Sequence, residues 1–159
     1  MREFSAAAFA LHLEAVAHRM EHGDQEAMEQ AALVVERRAK AIIGHYQDAA
    51  APFAGWAELA DATKEDRVRQ GFADNDPLER TGGLRDSIEH VAAPKEAVVG
   101  SNSEIAEYQE LGTGHIPPRS FLGTAAVQTS EQVARILGQG AVTALVGRSV
   151  FQGHMEINE

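Results

Sequence analysis

The 159-residue sequence predicts a single α+β domain over 1–159, a small antiparallel sheet packed with N-terminal and C-terminal helices. Three observations carry this. Apolar residues recur at helical spacing in an Ala-rich N-terminal part. Two short β-like runs flank Pro94, and a second helical stretch follows Gly123. By composition the domain divides into a helical part at 1–50, a loop-rich part at 51–80, and sheet plus helix at 81–159.

The first part reads as two helices. Phe4 to His22 is rich in Ala and Leu, and Gly23 is a plausible stop. Asp24 can cap a second helix, with Glu26 in its first turn favouring the helix dipole. Met28, Ala32, Val35, Ala39, Ile42 and Tyr46 then form one apolar stripe, and Glu29, Glu36, Arg37 and Lys40 fall largely off it. Such a stripe packs on a sheet or on another helix.

The second part opens with Pro52, Phe53 and Trp56. It holds a short helix over Asp61–Gln70 and a strong turn signal at Asp74-Asn75-Asp76-Pro77. In the third part Leu84, Ile88 and Val91 stand among polar residues, and Ala97-Val98-Val99 is a second β-like run. With Pro94 between them, the reading is two antiparallel strands with a turn near Ala93–Glu96. Gly100-Ser101-Asn102 ends the second strand. Ile105–Leu111 is a short helix, with Ser103 as cap and Gly112 as stop. Pro117-Pro118 forces an extended segment. From Gly123 a helix runs towards Val146, with Val133, Leu137, Gly140 and Ala144 on one side, and the residues from Arg148 read as a strand or tail.

The composition excludes several function classes. With no cysteine, disulfide scaffolds, thiol catalysis and cysteine zinc sites are ruled out. A formal charge of −10 disfavours non-specific nucleic-acid binding, and nothing points to sequence-specific binding. The best membrane candidate, Ser5–Leu13, is far too short to span a bilayer, contains His12 and is followed by Glu14. The N-terminus has neither the basic region nor the long apolar core of a secretion signal, so the expectation is an intracellular protein without membrane partners.

No catalytic constellation emerges. Glu14, His18 and His22 would share one helix face and could bind metal, yet the HExxH pattern is absent and a solvated face is the simpler reading. His12, His45, His90, His115 and His154 show no ligand spacing. Ser87 and Ser120 lack both a G-x-S-x-G elbow and a nearby base. Gly112-Thr113-Gly114 and Thr81-Gly82-Gly83 lack the context of a nucleotide loop and read as turns. Asp61, Glu65, Asp66, Asp74 and Asp76 do not match a calcium loop. The expectation is therefore no catalytic residue, no metal ligand and no cofactor.

The most informative stretch is Tyr108–Gly123, YQELGTGHIPPRSFLG. A short helix ends at glycine, a turn and a rigid Pro-Pro segment follow, then Arg119 and the apolar pair Phe121-Leu122. Rigid segments lose little entropy on docking, and Arg and Phe are good anchors. Such a loop either pins its own domain or docks on a partner.

This stretch resembles the signature of the tail-completion, or neck, proteins of long-tailed phages, also described as phage virion-morphogenesis proteins. The matching residues are Tyr108, Gly112, Thr113, Ile116, Pro117, Arg119, Phe121, Leu122 and Gly123. A second match comprises Trp56, Leu59, Thr63 and Arg67, then Thr81, Gly82, Leu84, Ser87 and Ile88. A third is Val99-Gly100-Ser101-Asn102. Ser120 departs from the pattern, which often has proline there.

The resemblance implies a non-enzymatic structural protein of the head–tail junction, present in the host cytoplasm during assembly and then in the virion. Its implied partners are further copies of itself, often as a sixfold ring, and tail-tube or head–tail connector proteins. By analogy Tyr108, Arg119, Phe121 and Leu122 are the interaction residues. Trp56, Thr81, Gly82, Leu84, Gly112, Thr113, Pro117 and Gly123 form the structural signature. The competing expectations are a host-side adaptor or regulatory domain that binds through its N-terminal helices, and a small metal-dependent enzyme using His18 and His22.

Overall fold

A computed structural model of the chain describes the backbone of residues 6–146 and the side chains of Glu14, His18 and residues 24–143. The first element is one helix, α1 (Ala6–Ile42), where the sequence suggests two. Gly23 and Asp24 lie inside it. A glycine in a helix interior costs only about 1 kcal/mol. Continuous packing outweighs that: Ala27, Ala31, Ala39 and Ile42 are all buried along one stripe. The small alanines let a second long helix lie close. That helix is α5 (Leu122–Val146), which packs along α1. It starts beside the C-terminal end of α1, where Arg38 Nε donates to Gln128 Oε1 at 2.7 Å.

Between these helices the chain forms α2 (Asp61–Arg69), α3 (Gly83–Asp86), β1 (Ile88–Ala93), β2 (Glu96–Ser101) and α4 (Glu104–Leu111). The strands make an antiparallel hairpin around Pro94-Lys95, in register from Ile88↔Ser101 to Ala93↔Glu96. The expected strands, turn and short helix are thus present, within an α+β fold. Leu84 belongs to α3 rather than to a strand. Its spacing of four from Ile88 is helical rather than alternating, and Gly82 at φ +85° turns the chain into α3.

One face of the hairpin packs on α1. Ile88 on that face is fully buried, and it joins Ile42, Trp56, Leu84, Phe121 and Ala125 in the core. On the other face the cross-strand pair Val91 and Val98 is 73% and 64% exposed.

His90 ties the hairpin to α1. Its Nδ1 meets the Glu36 carboxylate and its Nε2 lies 3.1 Å from Glu29 Oε1. Lys40 Nζ sits 2.5 Å from Glu36 on the same helix. Bonds to Glu36 and Glu29 raise the His90 pKa, and bonds from Lys40 and His90 lower that of Glu36. The fold therefore favours protonated His90. That contribution is complete below the ordinary histidine value of about 6.5 and is lost as pH rises through the raised one. The Glu36 contribution is present above about 4.5 and is lost as pH falls through its lowered value. The clamp is tightest between those limits. Urea unfolding of the wild type is expected to lose stability as pH rises above about 6.5, and His90→Gln should flatten that slope. An unchanged slope in the variant would remove His90 as its source.

Candidate functional site

The segment from Gly112 to Gly123 is built by a chain of local requirements. Gly112 ends α4 at φ +74°, and a Cβ there would stand 2.9 Å from both Ile116 O and Pro118 N. Only glycine fits. Thr113 N–H donates to Ile116 O at 2.8 Å. The Thr113 hydroxyl accepts from the N–H groups of His115 and Ile116, at 3.2 and 3.1 Å. This closed turn lets Pro117-Pro118 carry the chain back along α4, where Arg119 N–H donates to Gln109 O at 2.6 Å.

Arg119 then reaches across to the segment after Trp56. Its Nε and Nη2 donate to Ala57 O at 3.2 and 2.9 Å, and Nη2 also donates to Glu58 O at 3.2 Å. The residue is buried, and desolvation pulls its pKa below the usual arginine value. Trp56 is buried beside it and donates from Nε1 to Ser120 O at 3.3 Å. Tyr46 holds the same segment, accepting from Leu59 N–H at 3.0 Å and donating to Asn75 Oδ1 at 2.6 Å.

Glu110 closes the arrangement. Its Oε2 accepts from the N–H groups of Phe121 and Leu122 at 2.7 and 2.9 Å. Its Oε1 accepts from Gly123 N–H at 2.9 Å and from the Ser120 hydroxyl at 2.5 Å. A carboxylate on α4 is thus the N-terminal cap of α5. Gly123 faces the Phe53 ring so closely that a Cβ would lie 2.2 Å from Cζ. Gly123→Ala is expected to destabilise the chain by about 1–3 kcal/mol through overpacking. Adding Phe53→Ala should recover part of that loss. A double variant no more stable than Gly123→Ala alone would place the strain elsewhere.

Beside this knot lies a groove of about 730 Å³, bounded by Leu59, Arg67, Thr81, Leu84, Pro117 and Arg119 among others. Arg67 is buried on α2. Its Nε donates to Ala73 O at 2.7 Å and its Nη2 to Glu79 O, which holds the connection from α2 to α3. Arg80 at the rim pairs with Asp66 at 2.8 Å and lies over the Phe72 ring.

The residues singled out from sequence therefore converge. Trp56, Arg119 and Gly123 meet in the knot, Gly112 and Thr113 shape its turn, and Thr81, Gly82, Leu84 and Pro117 line the groove. The four expected interaction residues separate. Phe121 is fully buried and Arg119 nearly so within its own chain. Leu122 packs half-buried against the core, and Tyr108 is 47% exposed. Glu110, Phe53 and Gln109 carry no sequence motif of their own. The available signal for Glu110 was indirect: the first turn of α5 holds no acidic residue.

Glu14 and His18 are exposed on α1, and the His22 side chain lies outside the described residues, as do His154 and the segment from Arg148. Among the described residues no group of three or more His, Cys, Asp or Glu is placed to hold a metal ion, and no helix is long and apolar enough to cross a membrane. Comparison with protein-family models, curated proteins and solved structures finds no match to this chain.

Proposed function

We propose that this chain is a structural assembly subunit of a phage virion, acting in tail completion or head–tail joining as part of a ring. One observation carries the reading. The three separated stretches that resemble the tail-completion signature fold against one another. Arg119 bonds to Ala57 and Glu58, Trp56 bonds to Ser120, Leu84 shares a groove wall with Pro117 and Arg119, and Ile88 pairs with Ser101, whose hydroxyl lies 2.7 Å from that of Ser87. Residues so arranged build a scaffold, which suits a protein whose task is to hold a shape between other proteins.

The test is deletion of the gene from an inducible phage that carries it, with electron microscopy of the lysate. DNA-filled heads beside unattached tails are expected for a joining protein, and tails of aberrant length for a tail-completion protein. Normal infectious particles would overturn the proposal.

A further inference from the structure

Two surfaces are left uncovered by the described residues, and their chemistries are complementary. The first is the groove. Arg67 and Arg119 are only 6% and 5% exposed, yet both bond to carbonyl oxygens and neither pairs with a carboxylate among the described residues. The Nη1 of each has no hydrogen-bond partner among the described residues. In a chain of net charge −10, two guanidinium groups bonded only to carbonyl oxygens place positive charge on the wall of this groove. Glu58 at its edge is paired with Lys64 at 3.3 Å. The remaining wall is largely apolar, with Leu59, Ile105, Ile116 and Pro117. Gln109 Oε1 is buried there without a donor.

The second surface is the outer face of the hairpin. Val91 and Val98 are direct cross-strand partners and both are exposed. Glu89 and Glu96 lie exposed on the same face. Scattered exposed apolar residues are ordinary, but a paired couple flanked by acids is a compact apolar knob with a negative rim.

We propose that the outer hairpin face of one copy docks in the groove of the next. Val91 and Val98 would meet the apolar wall, and Glu89 and Glu96 would supply the carboxylates that Arg67 and Arg119 lack. Copies of so acidic a chain repel each other on general approach, so this contact also sets their orientation. Because the knob and the groove are different patches, the contact is head-to-tail. Repetition yields a closed ring or an open chain. The inference deepens the assembly reading above by assigning its self-contact.

The absence of cysteine makes disulfide trapping clean. Val98→Cys and Ile105→Cys both change exposed positions, one on the knob and one on the groove wall. A mixture of the two variants, oxidised at micromolar concentration, is expected to give at least about tenfold more dimer than either alone, because docking raises the local thiol concentration. A chain carrying both changes should give a ladder of oligomers. Adding Glu89→Lys and Glu96→Lys to the Val98→Cys chain should return the yield to the collisional level, as should about 0.5 M salt. A mixture no better than the single variants, or a charge-reversed hairpin that links equally well, overturns the proposal. A groove that serves a small molecule would give that negative result. Trapping in solution combined with normal particles after gene deletion would remove the virion role and leave the contact. The opposite pair of results would remove the contact and leave the role.

Discussion

Glu110→Ala is expected to destabilise the chain by about 3–4 kcal/mol, read as a shift in the urea unfolding midpoint. The first N–H groups of a helix have no intrahelical acceptor. At the start of α5 three successive N–H groups, from the preceding Phe121 and from Leu122 and Gly123, converge on this one carboxylate together with the Ser120 hydroxyl. Hydrogen bonds to a charged acceptor contribute about 1.5–3 kcal/mol each, without adding fully, and the charge also meets the positive end of the helix dipole. Glu110→Gln keeps one acceptor oxygen but turns an NH₂ group towards N–H donors. It should retain no more than part of the stability. A loss below about 1 kcal/mol in the alanine variant would show that water or another side chain caps α5 equally well.

Arg119→Ala is expected to destabilise the isolated subunit by about 3 kcal/mol, read as a shift in the urea unfolding midpoint. The change strips Ala57 O and Glu58 O of their donor and leaves a hole beside Trp56. Arg119→Lys should lose about 2 kcal/mol, because one ammonium group cannot reproduce the planar fork that serves two carbonyls. Trp56 is the only tryptophan and is buried against this segment, so its fluorescence reports the event directly. An Arg119→Ala subunit with an unchanged unfolding midpoint would remove the structural role and leave Arg119 a partner contact alone.

Much of the fold was legible where the signal is local. The hairpin follows from two β-like runs around Pro94, α4 from Ser103 and Gly112, and α5 from the periodicity after Gly123. These features depend on residues a few positions apart. The continuity of α1 was not legible, because the local stop signal at Gly23 is overridden by packing that only the tertiary structure supplies. Leu84 was placed with the strands because its neighbourhood is polar and short, and only the positive φ at Gly82 reveals α3. Of the site, the glycines and the Arg-x-Phe run were legible as a pattern. Their roles were not. Arg119 finds its acceptors 61 and 62 residues away, and Arg67 finds its own 6 and 12 residues away in an irregular connection. Glu110 is one of many acidic residues in the chain, and nothing in its flanking sequence says that a helix will begin against it.

The cap on α5 also bears on the order in which the chain acquires structure. Glu110 stands only 10 to 13 residues before the groups it binds. Closing so short a loop costs little entropy and takes well under a microsecond. During synthesis the carboxylate emerges before the helix it starts, so the first turn of α5 meets its acceptor as soon as it leaves the ribosome. The bonds from Arg119 to residues 57 and 58 instead join parts made far apart in time. The α4–α5 corner is in this sense self-starting, whereas its attachment to the segment after Trp56 depends on residues far apart in the chain.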